Sequence, residues 1–213
     1  MQPTTYAPVW CDKEHRWKNQ IPFSAVVPPA AQIHHTGKHH WVASTNNYGQ
    51  INILDSKSNG KLTPSLEIQL TSLYGNGDAN KLFPIKIPSI QQQGNNHDCG
   101  FYAIANLTQY CYGGYVGKEE IKYNESYMRD HLVYCLERQM FTPFPRIQTK
   151  TKINKKKPKT VTIDCHCNCG QPNCLEEMVG CDGMDGTCTV WRHRSCAAPE
   201  DIDGDWFCTP HRV

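Results

Sequence analysis

No run of apolar residues in this chain approaches the roughly 20 needed to cross a bilayer. The first ten residues, Met1 to Trp10, hold no apolar signal core either. These two absences set aside a membrane-spanning chain and a secreted one. The expected setting is intracellular and reducing, nuclear or cytoplasmic, with no membrane partner. A net charge of +2 is too small to imply nucleic acid as a direct partner, and none is expected. Internal repeats are also lacking. Cysteine, in contrast, is plentiful: 12 in 213 residues, eight of them between Cys165 and Cys208. With histidines interleaved and no secretory signal, that cluster reads as metal ligands. The other four, Cys11, Cys99, Cys111 and Cys135, are scattered, which does not suggest a disulfide framework. Cys11 and His15 alone offer too few ligands for a metal.

The chain divides near residue 150. Residues 1–146 read as globular with a core over 30–136, 147–162 as a linker, and 163–213 as a small metal-stabilised domain. Six lysines fall between Lys150 and Lys159. With almost no apolar residues beside them, they cannot bury a core. The run resembles a nuclear import signal, and its plain alternative is a solvated linker.

Within the first part, Trp41–Thr45 and Gln50–Leu54 are β-prone runs joined by Asn46-Asn47-Tyr48-Gly49, which predicts a hairpin. His40 then starts the first strand and Asp55 ends the second, side by side as a His–Asp hydrogen bond requires. Thr63-Pro64 opens a helix with Leu66, Leu70, Leu73 and Tyr74 as its apolar stripe, ending at Gly75. Phe83, Ile85 and Ile87 alternate as a strand limited by Pro84 and Pro88. Phe101 to Tyr110 suits a helix with Ile104, Leu107 and Cys111 on one face, and Met128, Leu132, Cys135 and Leu136 mark a last helix. Cys111 and Cys135 read as core thiols. His34, His35 and His39 read as loop residues.

Cys99 would stand at a helix N-terminus, where the dipole favours a thiolate. A thiol nucleophile needs an imidazole to take its proton, a carboxylate to orient that imidazole, and a polar donor for the oxyanion. His40, Asp55 and Gln93, six residues before Cys99, supply these three in the order His…Asp…Gln…Cys.

The set His40-Trp41, Asp55-Ser56, Gln93 and Asp98-Cys99-Gly100 resembles the ubiquitin-like-protein-specific, SUMO-deconjugating cysteine proteases. The resemblance covers residues 30–136 and implies an α+β, papain-like core. It makes Cys99 the nucleophile, His40 the general base, Asp55 its orienting carboxylate, Gln93 a lining of the oxyanion hole, and Trp41 a substrate-binding aromatic. The family has helices and a tryptophan-bearing segment before the His-Trp strand, whereas only 39 residues precede His40. Trp10 and Trp17 match no family position, so the resemblance is to an N-terminally truncated catalytic domain.

The cysteine-rich part centres on Cys181-x6-Cys188-x4-His193-x2-Cys196-x11-Cys208-x2-His211, with Cys165, Cys167, Cys169 and Cys174 upstream. Zinc takes four thiolate or imidazole ligands, so eight fit two ions. A segment this short needs such staples to fold. Met178-Val179-Gly180-Cys181-Asp182, Trp191-Arg192-His193 and Asp205-Trp206-Phe207-Cys208 resemble a PHD finger. That resemblance implies a cross-brace: Cys167, Cys169, His193 and Cys196 at one zinc, Cys181, Cys188, Cys208 and His211 at the other. Cys165 is an alternative to Cys169, and Cys174 is spare. The resemblance also makes Trp191 and Met178 walls of a peptide-binding cage, and Glu176, Glu177, Asp182 and Asp185 suit a basic peptide such as a histone tail.

The favoured expectation is a cysteine-type peptidase acting on ubiquitin-like protein conjugates or precursors, with a two-zinc PHD finger. A chromatin-binding adaptor with a decayed protease half, of mobile-element origin, and a zinc-bound scaffold are the alternatives.

Overall fold

The computed structural model describes residues 25–37, 39–75, 81–113, 121–147, 157–183, 187–197 and 204–211. Trp10, Cys11, His15, Trp17, Asp185 and four lysines of the expected import signal (Lys150, Lys152, Lys155 and Lys156) lie outside them. Within them the chain is mixed α/β. Strands β1 (Ala30–His35), β2 (Trp41–Asn47), β3 (Gln50–Leu54), β4 (Lys81–Ile87) and β5 (Lys159–Cys165) form one five-stranded sheet in chain order. Only β3 and β4 run parallel; the other neighbours are antiparallel. A parallel pair needs a crossover, and helix α1 (Pro64–Tyr74) lies in it.

The hairpin forms as its sequence predicts. Tyr48 and Gly49 both take positive φ, 49° and 91°, the two-residue turn whose twist matches antiparallel strands. Thr63 caps α1, its hydroxyl accepting from Leu66 N at 3.3 Å, with Pro64 as the first helical residue. Helices α2 (Cys99–Gly113) and α3 (Glu125–Glu137) follow.

Successive residues of a strand face opposite sides of a sheet, and here both sides are covered. Val42 and Ile53 pack with Leu66 and Leu70 of α1, together with Ile85 and Ile163. Their neighbours Ala43 and Leu54 pack with Ala103 and Leu107 of α2. A third cluster joins Tyr102 of α2 to Tyr123, Met128 and Phe144. This two-sided burial fixes where each strand end lies relative to the N-terminus of α2.

Four expectations are corrected. The stretch expected as linker to residue 162 gives way at Lys159 to β5, because Val161, Ile163 and Cys165 alternate inward beside β-branched Thr160 and Thr162. The lysine count masked that period. Strand β4 runs through Pro84 rather than being limited by it, with Pro84 opposite Thr162. His34 and His35 are strand residues, both buried. Cys135 is buried as expected, but Cys111, near the end of α2, is exposed.

The cysteine-rich part adds a two-stranded antiparallel sheet of β6 (Met178–Gly180) and β7 (Trp191–His193). It also touches the first part away from β5. Cys174 Sγ donates to Glu67 Oε2 at 3.1 Å. Burial and that bond push its thiol up to about 12.

Candidate active site and metal clusters

β2 and β3 pair with Ala43 opposite Leu54, so the residues before β2 and after β3 share one end of the hairpin. There His40 Nε2 lies 2.7 Å from Asp55 Oδ1. A carboxylate only accepts, so Nε2 carries the hydrogen, and in the neutral ring Nδ1 keeps its lone pair. Lys57 N adds a second bond to Asp55 Oδ1 at 2.8 Å. His40 O takes the amide hydrogen of Thr36 at 2.8 Å. The imidazole is thus held from its carboxylate side and from its own backbone.

Cys99 is the first residue of α2 and 4 % exposed. Ala103 and Leu107 press the helix onto Ala43 and Leu54, which brings its N-terminus to the His40 end of β2. Among the described residues no hydrogen bond reaches the Cys99 sulfur. The preceding turn is built by Asn95, whose Oδ1 accepts from His97 N and Asp98 N, both at 3.0 Å. Asn95 Nδ2 in turn donates to Asp98 Oδ2 at 2.7 Å.

Gln93 lies against the segment after Asp55. Its backbone N donates to Ser56 O at 2.8 Å, and its Oε1 accepts from Ser56 Oγ at 2.7 Å. Its Nε2 donates to Asn95 O at 2.6 Å. The four residues singled out by sequence spacing, together with Trp41, therefore gather at one end of the sheet. The contact of Gln93 with Ser56 was not legible, although Asp55-Ser56 stood in the motif. A cavity of about 150 Å³ opens on the α1 side of the His–Asp pair, lined by Thr36, Val42, Leu66, Lys57 and Lys61 among others.

The cysteine-rich part holds two Cys₃His clusters able to take a metal ion: Cys167, Cys169, His193 and Cys196, and Cys181, Cys188, Cys208 and His211. Within each, the ligand atoms all lie within 4.8 Å of one another. A tetrahedral zinc with Zn–S near 2.3 Å sets its ligands about 3.5–3.8 Å apart. The observed Cys188–Cys208 sulfur separation of 3.7 Å and Cys208–His211 separation of 3.6 Å fit that figure. Cys169–His193 and Cys181–His211, at 3.2 and 3.3 Å, are slightly tighter. The donor set therefore suits zinc. The two clusters alternate along the chain.

Bonds outside the ligand set orient the imidazole and one thiolate. His193 turns Nδ1 to Cys169, so its Nε2–H donates to Pro172 O at 3.0 Å and fixes the tautomer. Cys208 N donates to Cys181 Sγ at 3.2 Å. A Cβ on Gly183 would come within 2.4 Å of His211 Nδ1, so the ring needs glycine there. The role of Pro172 O as acceptor for His193 was not legible in the sequence. Around the second cluster Ala197, Trp206 and Cys208 bury against Val179 and Val190, a core too small to fold such a segment alone.

Cys165 belongs to neither cluster. It is 4 % exposed and packs with Ile163 and Leu66 in the sheet core, and burial pushes its thiol up to about 11. The alternative of Cys165 for Cys169 is therefore set aside. Cys174 is outside both clusters too. Trp191 is 44 % exposed and pairs with Gly180, while Met178 pairs with His193. Met178 is thus the diagonal neighbour of Trp191.

No protein-family model, curated protein or solved structure matches this chain.

Proposed function

We propose that this chain is a cysteine-type peptidase or isopeptidase acting on ubiquitin-like protein conjugates or precursors, built on a papain-like core. We further propose that its C-terminal part is a PHD-type finger holding two zinc ions and recognising a basic peptide such as a histone tail. The observation that carries the first reading is the 2.7 Å bond from His40 Nε2 to Asp55 Oδ1, made at the sheet end that the N-terminus of α2 also reaches.

In this reading His40 Nδ1 takes the Cys99 proton. The thiolate gains from the α2 dipole and attacks the carbonyl carbon of the scissile bond. Gln93 Nε2 donates to the oxygen as it becomes negative. His40 then protonates the leaving amine, and water cleaves the acyl-enzyme with His40 again as base. Catalytic hydrogen bonds to a nucleophile commonly tighten only with substrate bound. That accounts for a thiol without a partner here.

The zinc ions supply folding energy to the finger and take no part in the peptidase chemistry. For the finger the carrying observation is the interleaved order of the two clusters. The exposed Trp191 beside Met178 supports the peptide-binding half of the proposal.

The same unpartnered sulfur favours a second reading, a chromatin-binding adaptor whose protease half has lost turnover. An electrophilic ubiquitin-like probe separates the two. Covalent labelling that disappears in Cys99→Ser supports the peptidase. No labelling, with peptide binding retained, supports the adaptor.

A further inference from the structure

The amide of Gln93 is held at both ends, and one of its holders has no role in the chemistry above. Ser56 is 2 % exposed and meets Gln93 twice, accepting from its backbone N at 2.8 Å and donating Oγ–H to its Oε1 at 2.7 Å. On the other side Asn95 O accepts from Nε2 at 2.6 Å. A flipped amide would set its oxygen against the Asn95 carbonyl, acceptor against acceptor, and the Ser56 hydroxyl supplies the hydrogen that the correct orientation needs. One hydrogen of Nε2 then remains for a ligand. A hydrogen bond received at Oε1 also polarises the amide and makes that remaining N–H a better donor.

We infer that Ser56 is a positioning residue for the oxyanion donor, fixing which end of the Gln93 amide faces the reacting carbonyl. The inference rests on the peptidase reading above and adds a residue to it. Ser56 acts through Gln93 and touches no reacting atom.

The test uses the full chain, a SUMO protein with a C-terminal aminocoumarin amide as substrate, and iodoacetamide as a second probe of Cys99. Alkylation by iodoacetamide displaces iodide at a saturated carbon and builds no oxyanion, so it reads the thiolate and the fold without the donor. Ser56→Ala is expected to lower kcat about five- to tenfold, as for one lost hydrogen bond, with KM and the alkylation rate unchanged. Gln93→Ala should lower kcat on the order of 10²-fold. Adding Ser56→Ala to it should cost nothing more, and Ser56→Thr should restore turnover. Full turnover in Ser56→Ala, additive losses in the double variant, or a parallel fall in alkylation would overturn the inference. If the unmodified chain neither turns over the amide nor reacts with a ubiquitin-like probe, the peptidase reading itself fails and takes the inference with it.

Discussion

The indole of Trp41 lies beside the residue after Cys99: a Cβ placed on Gly100 would stand 4.0 Å from Trp41 Cδ1. The neighbour of the candidate base thus lies beside the neighbour of the candidate nucleophile. Cys99→Ser and His40→Ala should each lower turnover of a ubiquitin-like amide by about 10⁴-fold or more, and Asp55→Asn should leave a small remainder. Trp41→Ala should fold and lose substrate affinity. An iodoacetamide rate for Cys99 equal to that of a free thiol, and unchanged by His40→Ala, would sink the assignment.

Metal analysis of the whole chain should give two zinc equivalents. Cys169→Ser should lose one of them. Cys165→Ser should keep both and instead lose about 1–3 kcal/mol of stability, because it puts a hydroxyl among apolar neighbours. Equal metal loss in the two variants would contradict the ligand assignment.

His34 gives the first part a pH dependence of its own. It is fully buried, with Nδ1 3.0 Å from Gln69 Oε1 and Nε2 2.7 Å from Ser44 Oγ. Ser44 Oγ also bonds Tyr74 OH at 2.6 Å. Burial, against the bond to Gln69, lowers the His34 pKa from 6.5 to about 4. Burial pushes Tyr74 up to about 12, so that hydroxyl stays neutral. The unfolded chain binds the His34 proton at a higher pH than the folded one. Its contribution is therefore full above about pH 6.5 and falls away between there and about 4, by on the order of 3 kcal/mol. Urea unfolding at pH 7.5 and 5 should show about 2 kcal/mol of that loss, and His34→Gln should reduce it relative to the parent. The comparison with the parent removes any acid effect on the metal clusters.

The finger should bind a basic histone-tail peptide weakly and discriminate methylation poorly. A cage with two walls, Trp191 and Met178, offers little cation–π attraction, about 0.5–2 kcal/mol per aromatic wall. The nearby acids are also engaged: Glu177 pairs with Arg194 at 3.0 Å, Glu176 accepts from Ser195 N, and Asp182 Oδ2 accepts from Trp206 N at 2.8 Å. Titration of the full chain with unmodified and trimethylated peptides checks this. A large methyl preference that Trp191→Ala abolishes would show the cage to be stronger than argued.

What the sequence made legible was local. The hairpin, the capped α1 and the start of α2 at the thiol each follow from spacing and turn chemistry within a few residues, while the alternating ligand order came from the resemblance to a PHD finger. Cys165 and Cys167 were not separable that way. They have the same type and nearly the same position, and only pairing with β4, more than 70 residues earlier in the chain, decides that one faces the sheet core and the other joins a candidate metal cluster. His34 failed for the same reason, since its hydrogen-bond partners Ser44 and Gln69 come from β2 and α1, two other stretches of chain. Composition also misled where lysines hid the alternation of β5.

β5 is an edge strand of its sheet, and the candidate metal ligand Cys167 follows its last residue by two positions. Whatever tethers Cys167 therefore also tethers the strand that covers β4. Stripping an ion held there would loosen this cover and bare a row of backbone amides and carbonyls, a template for joining one chain to another. Chelation should then appear as concentration-dependent clumping of the whole protein, beyond the melting of its finger. A cut at residue 163 would remove part of the same cover, so neither half comes away clean.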